Sequence, residues 1–347
     1  MTGLVQVAVP RHLGDAIVSL GALRQLADGL PARPLRLVCP SALVLDLLAD
    51  QGPWQRGSRA FLPARDGVAV LFAPSLRVAL AAWRARIPRR IGLPSDHRGL
   101  LLSDLVGEPG APLPSRGLPA LLPAEHQSQQ YLRIAQRALG VMGGTTTPTD
   151  SHFSPGPEHR SRGLAWWQQA GAPNYLLHPW AQGLSTKRWA LERWVQVGEE
   201  LQGRGERVAV SGGPAGKDAD LAAELAAQLQ VPVCAGSSCL PPATWVVVAS
   251  LCSSVLLCDT GLAHLCAAAG LAPVVLFGPT DPQRHAPLQG QLLWGGRELS
   301  CSPCYSETCS NATAHLCMDS VRVPDVLALL RDGERSEAGR ATEGRPR

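Results

Sequence analysis

The chain reads as an α/β protein of two domains, each with a parallel sheet wrapped by helices. Short apolar runs recur as VQVAVP (5–10), LRLVCP (35–40), VAVLFAP (68–74), YLLHP (175–179), RVAVSG (207–212), SVLLCDT (254–260) and PVVLFG (273–278). Each is bounded by Gly, Pro or polar residues and separated from the next by a stretch that suits a helix, the alternation expected when helical crossovers join parallel strands. Three runs lie before about residue 110 and four after about residue 174, and 347 residues exceed the usual reach of one hydrophobic core.

Composition narrows the class. With 45% hydrophobic and 17% charged residues the chain can bury a large interior, which excludes wholesale disorder. A formal charge of +4 is too small an excess for a protein built on non-specific nucleic-acid binding. The start, MTGLVQVAVPRHLGD, lacks a basic leader before its apolar stretch, so a cytoplasmic protein is expected. No charged residue occurs from Leu225 to Cys258, the pattern of a membrane span, but Pro241-Pro242 and Ser237, Ser238, Ser253 and Ser254 break it into buried helix and strand pieces. The Arg77–Arg98 segment holds six arginines and one aspartate; it suits an acidic ligand or an anionic membrane surface, or else a solvated helix face and turn. The Thr-, Ser- and Pro-rich TTTPTDSHFSPGPEHRSRG marks a linker or the edge of one, giving domains 1–155 and 156–330 and an aperiodic, disordered tail over 331–347.

Three segments place polar chemistry where strands end. In VAVPRHLGDAIVSLGALRQL a strand leads through a Gly-containing turn into a helix starting at about Asp15, which is either a ligand-facing carboxylate or the helix N-cap. In YLLHPWAQGLSTKRWALERW a strand is followed by Ser185, Thr186, Lys187 and Arg188 before an amphipathic helix. Hydroxyls and cations there suit a diphosphate, with Lys187 the better phosphate ligand and Arg188 able to pair with Glu192 instead. In SVLLCDTGLAHLCAAAGLAPVVLFGPTDPQRHAP, Thr260 and Gly261 start a helix that presents backbone donors to phosphate, Asp259 precedes the turn as a cap, and His264 follows at helical spacing. The Gly278–Pro282 loop is either a tight turn or a second polar edge of that site.

Of ten cysteines, Cys39, Cys234, Cys239, Cys252, Cys258 and Cys266 lie in apolar surroundings as small hydrophobes. Cys301, Cys304, Cys309 and Cys317, with His315, form a late cluster. Its first pair has metal-knuckle spacing but the rest is irregular, so structural thiols or a reversible disulfide are preferred to a metal site.

Taken in order, GDAIVSLGALRQL, STKRWALERW and DTGLAHLCAAAGLAPVVLFGPTDPQRHAP resemble the N-terminal, central lysine and C-terminal donor motifs of glycosyltransferase family nine, which includes the ADP-heptose:lipopolysaccharide heptosyltransferases. The arginine-rich segment and the cysteine cluster with CMDSVRVPDVLALL are most similar to the type that adds the second core heptose. The resemblance implies a GT-B architecture, two Rossmann-like domains facing a central cleft, with acceptor on the N-terminal domain and nucleotide-sugar donor on the C-terminal one. It implies inverting transfer of heptose from ADP-heptose to the lipopolysaccharide inner core, by an enzyme in the cytoplasm or peripheral at the inner face of the membrane. Asp15 and Lys187 become the catalytic pair; Ser185, Thr186, Lys187, Asp259, Thr260, Gly261 and His264 the donor site; and Arg89, Arg90 and Arg98 the acceptor-binding cations. No metal is required where protein donors and a lysine neutralise the leaving diphosphate. Three departures stand out: Gly21 and Ala190 where proline is common, and Trp180 where glycine is usual. Another nucleotide sugar or glycan acceptor, a nucleotide-sugar epimerase, or a non-catalytic sugar-nucleotide-binding paralogue remain the alternatives.

Overall fold

A computed structural model describes residues 3–107, 125–181, 183–313 and 315–330. The disordered tail expected over 331–347 lies outside these residues. The chain divides into two compact units, Met1–Phe153 and Ser154–Arg347.

The first unit carries six strands: β1 (Val5–Ala8), β2 (Leu35–Val38), β3 (Gln55–Ser58), β4 (Val68–Leu71), β5 (Arg89–Gly92) and β6 (Asp104–Leu105). They pair in the order β3-β2-β1-β4-β5-β6, all parallel. β1 and β4 are buried along their whole length, which is why they read as unbroken apolar runs. Helix Leu20–Gly29 packs against helix Gln127–Met142. Ala79 and Ala82 of helix Leu76–Arg84 share a core cluster with Ala8, Ala69 and Leu71.

The second unit repeats the plan with β7 (Tyr175–His178), β8 (Val208–Ser211), β9 (Val233–Cys234), β10 (Ser254–Cys258), β11 (Val274–Phe277) and β12 (Gln291–Trp294). The order β12-β11-β10-β7-β8-β9, again all parallel, is the same winding as in the first unit. In each sheet the first and fourth strands are neighbours and the connections leave them in opposite directions, the switch point at which open α/β sheets bind ligands.

The uncharged run from Leu225 resolves into the end of helix Lys217–Leu229, β9, a 3-10 turn, helix Pro242–Leu251 and β10, and among the described residues no helix is long and apolar enough to cross a membrane. Part of the expected linker or linker edge is structured. Pro157–Gln169 is helical, and the preceding stretch is tied to the first unit, where Thr149 Oγ1 donates to the Gly21 carbonyl at 2.8 Å and Arg24 pairs with Asp150 at 2.7 Å. In that seat a Cβ on Gly21 would stand 2.8 Å from Ser151 Oγ and 3.4 Å from the Asp150 carbonyl oxygen, so a side chain there would have to displace Ser151.

The arginine-rich segment is not one cationic face. Arg89 and Arg90 belong to strand β5. Arg90 donates to the carbonyls of Leu101, Ile87 and Pro88, and Arg89 to that of Val141. Arg98 is fully buried and donates to the carbonyls of Leu93, Ala73 and Leu71, so it ties the ends of β4 and β5 together and does not meet an acceptor. Burial pushes its pKa down to about 10, which leaves it charged at neutral pH. Replacing it strands three buried carbonyls, so Arg98→Ala is expected to lower unfolding stability by roughly 3 kcal/mol, read from the denaturant midpoint.

Candidate functional site

In the first unit the polar group at the switch point is Asp15. The helix after β1 starts at Leu13, two residues earlier than expected, with His12 as N-cap, so Asp15 is the third helical residue and not a cap. Its carboxylate sits in the first turn, where the helix dipole favours negative charge. Half-buried, it accepts a hydrogen bond from Gln127 Nε2 at 3.0 Å, and the same nitrogen lies 2.9 Å from the Tyr131 hydroxyl. Tyr131 is buried and packs on Phe72, with ring centroids 5.5 Å apart; burial first, and the Asp15 charge second, hold its pKa well above the usual phenol value.

In the second unit, β7 and β10 present two turns side by side. After β7 the chain makes the 3-10 turn Ser185–Lys187 and then helix Leu191–Gly203. Trp189 and Trp194 of this motif are core residues, their rings meeting edge to face at 5.5 Å, and Trp189 Nε1 donates to the Val321 carbonyl at 3.0 Å. They anchor the turn that carries Lys187. After β10, Thr260 is the N-cap of helix Gly261–Ala268, with no side-chain bond capping that end. His264 is half-buried in the same helix.

Lys187 Nζ lies 2.7 Å from Asp259 Oδ2, and the Thr280 hydroxyl donates to that same oxygen at 2.7 Å. Both members of the ion pair are largely sequestered, with side-chain exposures of 17% and 8%. Asp259 therefore orients the lysine and does not cap the helix. Asp281, at the other end of the Gly278–Pro282 loop, caps helix Pro282–His285 by accepting from Gln283 N at 2.9 Å. The structure thus brings together Lys187, Asp259, Thr260 and Gly261, with Thr280 of the Gly278–Pro282 loop as the second polar edge.

Two expected donor hydroxyls are committed elsewhere. Ser185 Oγ donates to the Glu307 carbonyl at 2.7 Å and Thr186 Oγ1 to that of Ser306 at 2.6 Å. Arg188 does not pair with Glu192; its guanidinium lies over the Trp180 ring at 4.0 Å, a contact that a glycine at that position could not make.

The acceptors of those hydroxyls belong to the cysteine-bearing loop. It is laced to the Gly278–Asp281 loop as well: Cys304 N donates to the Pro279 carbonyl at 3.0 Å and Ser302 Oγ to that of Gly278 at 3.0 Å. Cys301, Cys304, Cys309 and Cys317 are free thiols lining one small cavity of about 30 Å³ with His315 and Thr186. Among the described residues no three His, Cys, Asp or Glu side chains stand where one metal ion would join them. The other six thiols are buried or half-buried as expected, and burial pushes those of Cys234, Cys252 and Cys258 up to about 12.

Asp218 went unnoticed in the sequence because nothing in GGPAGKDAD distinguishes it from a solvated first-turn acid. It lies under the turn that follows β8, where a Cβ on Gly213 would stand 2.1 Å from its Oδ2. Burial pushes its carboxyl up to about 6, against the lowering effects of the Gly213 N–H and the Arg188 charge. A folded-state pKa above the unfolded value of 3.8 means that the folded protein holds this proton more tightly, so stability is lost as pH rises through about 6. Asp218→Asn should therefore melt at a higher temperature than the parent at pH 8, with the difference vanishing near pH 4, as scanning calorimetry would record.

Two Rossmann-like units, with an oriented lysine and a helix start at the second unit's switch point, define a GT-B-type glycosyltransferase architecture. Residues 67–315 match glycosyltransferase family 9 (heptosyltransferase), and the chain belongs to that family. It is 24% identical over 307 residues to lipooligosaccharide heptosyltransferase 2 of Haemophilus influenzae, covering 80% of this chain and 84% of that one. It is 31% identical over 143 residues to lipopolysaccharide heptosyltransferase 1 of Pseudomonas aeruginosa, a match spanning 40% of this chain and only 38% of that protein. The fold is similar to that of E. coli ADP-heptose lipopolysaccharide heptosyltransferase II, with a TM-score of 0.71, 18% identity, and coverage of 96% of this chain and 99% of that one.

Proposed function

We propose that the chain is an inverting heptosyltransferase that moves a heptose from ADP-heptose to the inner core of lipopolysaccharide. The observation that carries this reading is the Lys187–Asp259 pair beside the Thr260–Gly261 helix start at a sheet switch point, within a chain of the heptosyltransferase family. An ammonium has three N–H donors. Asp259 takes one and aims the group, and the others meet the diphosphate, whose remaining charge faces the backbone N–H groups at the head of helix Gly261–Ala268. As the glycosidic bond to the nucleotide breaks, this positive field stabilises the departing ADP. Asp15 takes the proton of the acceptor hydroxyl as its oxygen attacks the anomeric carbon, so the configuration at that carbon inverts. The C-terminal unit holds the donor and the N-terminal unit the acceptor.

The acceptor's lipid fits a peripheral contact with the inner face of the membrane. Helix Leu76–Arg84 and its surroundings leave Leu76, Trp83 and Leu100 exposed among Arg77, Arg84 and Arg86, an aromatic and cationic mix suited to anionic headgroups.

Asp15→Asn keeps size and removes basicity; it should lower kcat by at least about 100-fold in a folded protein, and unimpaired transfer, followed by mass analysis of the acceptor, would rule out the base. Lys187→Ala should weaken the donor step by about 10- to 100-fold, seen in the response to ADP-heptose concentration. Trp83→Ala combined with Arg84→Glu should abolish sedimentation with vesicles containing anionic lipid while leaving transfer to a water-soluble acceptor intact.

A further inference from the structure

We infer that Gln127 is a positioning residue for the base: its side-chain amide fixes the Asp15 carboxylate in the orientation that receives the acceptor proton. The inference rests on the reading of Asp15 as the base and extends it to a residue that no sequence motif singles out.

The chemistry of the contact is specific. An ionised carboxylate only accepts hydrogen bonds, so the amide must face Asp15 through its nitrogen, and a primary amide nitrogen has two hydrogens. Both have a destination. One is 3.0 Å from Asp15 Oδ1, and the other addresses the Tyr131 oxygen at 2.9 Å. Tyr131 is 3% exposed, packed on Phe72, and kept neutral by burial, so it is a fixed acceptor that does not swing or ionise in the working range. The amide is thereby held at both hydrogens. Asp15, clamped at Oδ1, keeps Oδ2 for the incoming hydroxyl.

The backbone supports the same arrangement. Gln127 is the first residue of the helix Gln127–Met142, whose start is set by His126, the side chain of which accepts from Ser128 N. The amide is thus carried on the first residue of a sixteen-residue helix, a fixed point of the backbone. Gln127 and Tyr131 are four residues apart and share one helix face, which makes the two partners a single rigid unit.

A misplaced base costs rate and leaves substrate binding alone. Gln127→Leu and the isosteric Gln127→Glu should each lower kcat by about 10- to 100-fold with KM for donor and acceptor held within about twofold. Tyr131→Phe, which releases only the far side of the clamp, should cost less. The deciding measurement is the double-mutant cycle. A residue that acts only through Asp15 has nothing left to orient once that carboxylate is gone, so Asp15→Asn and Asp15→Asn/Gln127→Leu should share one residual rate within about twofold. Multiplying losses in the double variant, or full activity in a folded Gln127→Leu while Asp15→Asn is inactive, overturns the positioning role. A fully active Asp15→Asn overturns the base itself, whatever Gln127 does. Thermal melting of each variant separates both results from loss of fold.

Discussion

Everything at the candidate site depends on one constraint of parallel sheets: every strand ends on the same edge, and only where the winding reverses do two neighbouring connections part and leave a crevice. Both sheets have the order that puts this reversal between their first and fourth strands. In the second unit those strands are β7 and β10, and the loops that leave them carry Lys187 and Asp259, so two residues 72 positions apart in sequence meet at 2.7 Å. In the first unit they are β1 and β4, and Asp15 follows β1.

Topology brings the residues near; packing aims them. The turn bearing Lys187 is gripped from two sides. From below, Trp189 and Trp194 enter the core and Trp189 bonds the Val321 carbonyl. From the other side, the hydroxyls of Ser185 and Thr186 hold the cysteine-bearing loop, which bonds in turn to the loop carrying Thr280. Thr280 closes the circuit on Asp259. A lysine on a free loop would spread its charge over many rotamers, and this lacing is what lets one ammonium act as an oriented donor. The two hydroxyls thus help to place the lysine.

Much of this was legible in the sequence. The seven apolar runs are β1, β2, β4, β7, β8, β10 and β11, because central strands of a covered parallel sheet must be apolar on both faces. The strands that escaped notice are β3, β5, β6, β9 and β12, which lie at or toward the sheet edges and are short or polar, as in QRGS and RRIG. Lys187, Thr260 and Gly261 were legible because strand, turn and helix start are local patterns. The Lys187–Asp259 bond, the Thr280 hydroxyl and the Gln127–Asp15 contact join residues 21 to 112 positions apart, and no periodicity records such partners.

The arginines show why residue type alone misleads. Six guanidinium groups within 22 residues look like a patch for an anion, yet Arg98 is wholly buried and Arg90 is half-buried against three carbonyls. The difference lies in the backbone around β5 and the 3-10 turn Arg98–Leu101: carbonyls at the ends of these short elements face inward, and a long, planar five-donor side chain reaches several at once. Four of the six stay exposed, Arg77, Arg84, Arg86 and Arg89, the first three on or just after one helix with Trp83. Where a cation goes is decided by which carbonyls the backbone fails to satisfy, and only the remainder is free for recognition.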